Sequence, residues 1–161
     1  MQLKISSAQT FSLREQFERG LQDVVLTTER IPSPGGTIVS SQPLIWTGAE
    51  DGYAWKKRPL PLGISKTCAF RASVTKALDD AGLDWIDIVN STDVIAAEAM
   101  TSADLCIGAE LGCVKDSGRV PINHRGQLPE LPEFSIVLYG ADNPGNQLAK
   151  TLSEYLLRAY G

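Results

Sequence analysis

Histidine is almost missing from this 161-residue chain, where His124 is the one example. Cysteine occurs three times, as Cys68, Cys106 and Cys113, an odd number with no C-x-x-C spacing. A structural zinc site needs four closely placed thiolate or imidazole ligands, so the sequence argues against one. The thiols read instead as reduced and buried, in a cytoplasmic protein. No apolar run approaches the ~20 residues of a membrane span. "MQLKISSAQTFSL" lacks the basic-then-hydrophobic order of a secretory signal. Positive charge is short as well: 15 Lys and Arg stand against 19 Asp and Glu, a net charge of −4. The chain therefore lacks the basic face that a nucleic-acid backbone requires. Both Gly-rich nucleotide cradles, G-x-x-x-x-G-K and G-x-G-x-x-G, are absent.

What is present is a 43% apolar, 21% charged composition, that of a globular protein with a real core. Short apolar runs alternate with helical spacing, the pattern of βαβ units. Leu3 and Ile5 alternate as in a strand. Ser12 and Glu15 have capping-box spacing, and Leu13, Phe17 and Leu21 form a helical stripe. Val24-Val25-Leu26 reads as a buried strand. "ERIPSPGGT" is turn-rich, and "IVSSQPLIWTG" reads as one or two short strands interrupted at Pro43. After the polar crossover "AEDGYAWKKRP", Leu60 to Ile64 form a strand. A helix follows with Phe70, Val74, Ala77, Leu78 and Ala81 on one face, ended by Gly82. "WIDIV" is a strand, "STDVIAAEAMTSA" a helix capped by Ser91 or Thr92, and "DLCIGAE" a strand. Residues 111–134 are polar and irregular, with room for a short edge strand. "FSIVLYGA" returns as a buried strand, Asn143-Pro144 opens a last helix, and Leu148, Leu152, Tyr155, Leu156 and Ala159 form its stripe. The order implies a discontinuous first lobe (1–50 and 134–161) with a βαβαβ lobe, 51–133, inserted into it.

Open parallel sheets bind ligands outside the carboxyl ends of their strands. Those ends are Ser6-Ser7 to Thr10, Ser65 to Cys68, and Asn90 to Thr92, all rich in hydroxyls and each expected to open a helix. Helix N-termini carry free N–H donors and partial positive charge, so the expected ligand is a small polar or anionic molecule. Lys66-Thr67 imitates the end of a phosphate loop, but Ile64 and Ser65 stand where glycines would be needed. Cys68 lies near a helix start, where a thiolate is favoured, yet His124 in "PINHRGQLP" has no evident carboxylate orienter. Asp79, Asp80 and Glu98 fall on outward helix faces. Glu110 follows a strand and can face the cleft, but one carboxylate is no acid/base pair. No constellation demands catalysis, metal or cofactor.

A run of features, "GG" before a strand, "QPLIWTGA", "PLPLGI", C-x-F-R-x-S opening a helix, "ALDDAGLDW" and "LPELPEFSIVLYG", resembles the C-terminal effector-binding domain of LysR-type transcriptional regulators over almost the whole chain. The resemblance implies two Rossmann-like lobes of the periplasmic-binding-protein type, with a hinge and an effector in the cleft between them. It implies a cytoplasmic homodimer, or a tetramer in the full-length protein, that regulates transcription and touches DNA only through a helix-turn-helix domain not found in these residues. Carried over by position, Thr10, the loop Ile64, Ser65, Lys66 and Thr67, and the loop Ser91-Thr92 contact effector. The match begins near the second strand of that domain, so the first lobe is expected to be incomplete at its N-terminus. Thr101-Ser102-Ala103 replaces a commonly glycine-rich turn. The expected function is therefore a non-catalytic sensor of a small metabolite. The alternatives are an enzyme built on Lys66 or Cys68, and a dimerisation or interaction module that senses nothing.

Overall fold

The structure, a computed structural model, describes residues 3–90, 92–112, 118–141 and 145–160. It divides into two compact units, 1–41 with 134–161, and 42–133.

In the first unit, helix α1 (Thr10–Glu18) leads into strand β1 (Val25–Glu29), which pairs antiparallel with β7 (Glu133–Tyr139). The opening residues of β2 (Thr37–Ala49) lie on the other side of β7. Val25, Val137 and Tyr139 form the core, with Leu13 and Phe17 of α1 packed on it. The apolar stripe is thus real, but it stops one turn early. Leu21 lies past the helix end and is 63% exposed. Gln9, not Ser12, precedes the first helical residue, and the Ser12 hydroxyl instead accepts from Gln16 Nε2 at 3.1 Å. Leu3 and Ile5 belong to no strand and are 60% and 83% exposed. Alternation makes a strand only where a neighbour completes the hydrogen-bond ladder, and none of the described residues does so here.

Helix α4 (Gln147–Tyr160) also departs from its pattern. Ala149 and Ser153 are the buried residues, while Leu148 and Tyr155 are 56% and 66% exposed. The small residues are thus the covered ones, and the large ones flank them. Leu148, Leu152 and Tyr155 line a groove of about 580 Å3 together with Leu3, Leu21 and Val24. Asn143 and Pro144 lie outside the described residues. Asn146 does the capping, its Oδ1 accepting from the N–H of Ala149 at 3.1 Å.

In the second unit, β2 continues without a break past Pro43. Proline has no N–H to donate, and Pro43 sits where none is needed, just before β2 takes up β5 (Gly108–Leu111), from Leu44 opposite Leu111 to Thr47 opposite Gly108. Its end pairs with β6 (Arg119–Pro121), a short strand within the irregular segment. After a 3-10 turn, Ala54–Lys56, comes β3 (Leu60–Leu62), which pairs parallel with β4 (Trp85–Asp87). On its other side β3 meets the chain entering β5: Leu62 bridges Ile107 in parallel, and Gly63 donates to the Ile107 carbonyl at 2.8 Å. Helix α2 (Arg71–Asp80) ends as expected, with Gly82 at φ +63°. Leu83 and Gly82 donate to the carbonyls of Leu78 and Asp79, the Schellman arrangement. Helix α3 (Val94–Ser102) is capped not by Ser91 or Thr92 but by Asp93, which accepts from Ile95 N–H at 2.9 Å.

Leu60, Leu62, Val74, Leu78, Cys106 and Ile107 are all 0% exposed in this unit. Each large aliphatic buried there contributes on the order of 1.5–3 kcal/mol before entropy is counted.

Candidate functional site

The chain runs from β3 through α2 to β4 on one side, then through α3 to β5 on the opposite side of β3. This is a reversal of winding direction, where neighbouring strand ends splay and leave a crevice. The second unit has a cavity of about 110 Å3 at this place. Gly63, Ile64 and Ser65 border it where β3 ends, and Gly108, Ala109 and Glu110 of β5 run alongside. Val94, Ala97, Glu98 and Thr101 close it, all on one face of α3 by their helical spacing. Cys68 and Phe70 come from the connecting loop.

Glycine at position 63 has a steric reason, since a Cβ there would overlap the Cys106 sulfur. The loop that follows is held by its own hydroxyls. Ser65, 2% exposed, places Oγ 3.2 Å from Thr67 Oγ1 and accepts from Thr67 N–H at 3.4 Å. Its carbonyl accepts from Cys68 N–H at 3.1 Å, and the Cys68 carbonyl from Arg71 N–H at 3.1 Å. Arg71 then ties the loop to the sheet. One guanidinium nitrogen donates to the Ile64 carbonyl at 2.8 Å, and the other reaches both Asp87 oxygens at 2.8 and 2.6 Å.

Glu110, Thr47 and Arg119 lie on one face of β5, β2 and β6, as the pairing of Ile45 with Glu110 and of Ala49 with Arg119 dictates. Arg119 Nε donates to Glu110 Oε1, and Arg119 Nη1 lies 3.4 Å from Glu98 Oε2. The Arg119 and Glu110 side chains are only 8% and 17% exposed. Thr47 adds a long bond to Glu110 Oε1 at 3.4 Å. Glu110 Oε2 is buried and has no partner.

Of the residues expected to touch a ligand, Ile64 and Ser65 line the cavity, and Thr67 is bonded to Ser65. Lys66 is exposed on the same loop and Thr92 is exposed before α3. Ser91 lies outside the described residues, as does Cys113. Thr10 belongs to the first unit, where its hydroxyl donates to the Thr28 carbonyl at 3.4 Å and accepts from Thr28 N–H at 3.3 Å. Thr10 does start a helix, but Ser65 to Cys68 do not, because α2 begins at Arg71 with Phe70 before it.

Sequence reasoning missed Phe70, Ala97, Thr101 and Arg119, and it put Glu98 on an outward face. The spacing of Val94, Ala97, Glu98 and Thr101 was the available signal, but a glutamate on an otherwise apolar helix face reads as solvated until its cation is found. Chemically the site has little to react with. Burial pushes the Cys68 thiol up, against the opposing backbone N–H groups of Phe70 and Arg71 and the Arg71 charge. Burial likewise raises Cys106, against a contact with Thr101. His124 is spent on the Leu128 N–H, which it accepts at Nδ1 at 3.3 Å. Among the described residues no group of three or more His, Cys, Asp or Glu could hold a metal ion.

No protein-family model matches the chain, and no curated protein matches it. Solved structures do. The regulatory domain of CcmR from Synechocystis PCC6803, in complex with 2-PG, superposes with a TM-score of 0.65 at 14% identity, over 94% of this chain and 80% of that one. The effector-binding domain of QuiR in complex with shikimate gives 0.69 at 14%, over 95% and 78%. The regulatory domain of a HypT variant from Salmonella typhimurium gives 0.72 at 13%, over 97% and 83%. The fold is thus that of the periplasmic-binding-protein-like effector domains of LysR-type regulators.

Proposed function

We propose that this chain is a sensor module, the effector-binding domain of a LysR-type transcriptional regulator, which holds a small metabolite without transforming it. The observation that carries the reading is the cavity at the winding reversal of the second unit, bordered by Ile64 and Ser65 and walled by one face of α3. The fold shared with domains solved around 2-PG and shikimate supports it. The enzyme alternatives lose ground on the same geometry. Lys66 is exposed on a loop without a glycine cradle, and burial holds Cys68 as a thiol that no described base is bonded to.

A sensor shifts between two folded states only through different affinity for them, and a ligand that binds the folded chain and not the unfolded one also stabilises the fold. A metabolite at 100 times its dissociation constant adds about 2.7 kcal/mol, equivalent to a rise of about 5–10 °C in Tm at this chain length. A thermal-shift screen of small polar metabolites, beginning with 2-PG and shikimate, tests the reading. A library without a single shift refutes it.

The setting we propose is cytoplasmic, and no helix among the described residues is long and apolar enough to cross a membrane. The working form is a homodimer in this reading. The exposed Leu148 and Tyr155 beside Leu3 and Leu21 offer an apolar face for a second copy. With an acidic net charge of −4, DNA contact falls to a separate helix-turn-helix domain.

A further inference from the structure

We infer that the cavity of the second unit is an apolar subsite of limited size, which takes an uncharged hydrocarbon end of the effector and leaves any charged group of that molecule outside. This rests on the sensor reading for its occupant and adds the chemistry of the part that enters.

Size comes first. A cavity of about 150 Å3 holds a benzene molecule, so about 110 Å3 holds a branched or cyclic group of roughly four or five carbon atoms. Ile64, Phe70, Val94 and Ala97 give the wall its carbon surface, and Gly108 and Ala109 of β5 bring no side chain larger than a methyl group. Ile64, Ala97 and Ala109 are buried, whereas Val94 is 41% exposed and marks the side nearest solvent.

The polar side chains of the wall are spent on the protein itself. The Ser65 hydroxyl is engaged with Thr67. The Thr101 hydroxyl donates to the Ala97 carbonyl at 2.9 Å and meets the Cys106 sulfur. Burial keeps the Cys68 thiol protonated. Glu98 and Glu110 both pair with Arg119, which does not line the cavity. No Lys, Arg or His side chain is in the wall, and Lys66, the cation expected to draw an anion here, is exposed. Helix α3 presents its flank, with the Ile95 N–H already taken by Asp93. An anion moved inside would lose its water and meet no cation. A hydrocarbon group loses nothing there and displaces water from carbon surface.

The test is a 1H–15N NMR titration of the full chain with ethanol, isobutanol, cyclopentanol and cycloheptanol, which share a hydroxyl head and differ in hydrocarbon size. Isobutyrate, the acid with the skeleton of isobutanol, is the charged control. The amides of Ser65, Ala97 and Ala109 are expected to shift. Affinity should rise about fourfold for each carbon added from ethanol to cyclopentanol, and cycloheptanol, too large for the space, should bind no more tightly than cyclopentanol. Isobutyrate should bind at least about tenfold more weakly than isobutanol. Ala97→Leu, which fills the cavity, should remove the dependence on hydrocarbon size. Val94→Ala, a change at the exposed start of α3, should widen the cavity and make cycloheptanol the tightest ligand. Isobutyrate binding as tightly as isobutanol overturns the inference, whether or not Ala97→Leu folds. So does an affinity that ignores hydrocarbon size, a size dependence that Ala97→Leu leaves unchanged, or a size limit that Val94→Ala does not raise. The two readings fail separately. An empty metabolite screen removes the sensor and leaves the alcohol series standing, whereas alcohols without a size dependence remove the subsite and leave sensing intact.

Discussion

Arg71→Ala removes the clamp between the cavity loop and the sheet. The guanidinium makes two bonds to Asp87, at 2.8 and 2.6 Å, and one to the Ile64 carbonyl at 2.8 Å. The side chains of Arg71 and Asp87 are 19% and 32% exposed, so solvent screens part of the ion pair. A bidentate charge-assisted pair in that setting contributes about 1–2 kcal/mol, and the abandoned Ile64 carbonyl adds about 1 kcal/mol. The expected loss is about 2–3 kcal/mol, a fall in Tm of about 5–10 °C. Arg71→Lys should recover less than half of it, because an ammonium cannot span the carboxylate and the carbonyl together. Urea melts of the wild type, Arg71→Ala, Asp87→Asn and the double variant isolate the pair, with an expected coupling of about 1 kcal/mol or more. A coupling near zero, or a Tm within about 1 °C of wild type, would refute the clamp. In that case the loop would be held by the Ser65–Thr67 contacts and its own backbone bonds.

Asp104 gives a pH-dependent outcome. At φ +55° its carboxylate accepts the N–H groups of Tyr53 and Ala54 at 2.8 and 2.9 Å. Partial burial pushes its carboxyl up, but those two donors and the Lys57 charge outweigh this and hold it below the ordinary aspartate value. A lowered folded-state pKa means that the stabilisation is complete above the unfolded value of about 3.9 and is lost as pH falls through the folded value. Asp104→Asn, which tolerates the same backbone region, should therefore have a lower Tm than wild type at pH 6, by a gap that narrows as pH falls below about 3.9. A gap independent of pH would show that the charge is irrelevant. Tyr139→Phe removes the hydroxyl that donates to Glu29 Oε2 and accepts from Ser33 N–H, both at 3.1 Å. Its expected cost is about 1–2 kcal/mol, read in a urea melt, and an unchanged midpoint would contradict it. Burial holds that phenol above the ordinary tyrosine value, so in ultraviolet pH titration its absorbance change should come last.

The fold was legible where a pattern closes on itself within a few residues. Val74 and Leu78 on one face with Gly82 to end the turn describe a helix and its stop without outside help. Val25 and Val137 are apolar enough to be strand cores whatever they pair with. Legibility failed where a partner decides. Leu3 and Ile5 alternate correctly, but no described strand lies beside them. The large residues of α4 make a long apolar stripe, yet Ala149 and Ser153 are the ones buried, because a helix's own spacing does not say which part of its face a neighbour covers. Pro43 suggested a break, and the strand runs through it, because the break lies between two pairing partners rather than in the strand.

The site shows the same division, with a consequence for its charge. A crevice at the end of β3 follows from strand order, and Ile64 and Ser65 border the cavity found there. The sign of the ligand's charge does not follow, since it was argued from hydroxyls and helix starts that turn out to serve the backbone. Thr10 is bonded to Thr28, Ser65 to Thr67, and Asp93 takes over the start of α3. The groups that set the local potential, Glu98, Glu110 and Arg119, come from a helix and two strands that β2 holds in register. Their sequence separation hides them from any local motif. Once placed, they put two carboxylate residues at the cavity wall, both paired with one guanidinium that does not line it. An anion-binding pocket would need that balance reversed, which Glu98→Lys with Glu110→Gln would do. In an NMR titration the doubly substituted chain should therefore prefer isobutyrate to isobutylamine more strongly than the unsubstituted chain does. If both chains show the same preference between the two ligands, the wall charges do not govern the choice.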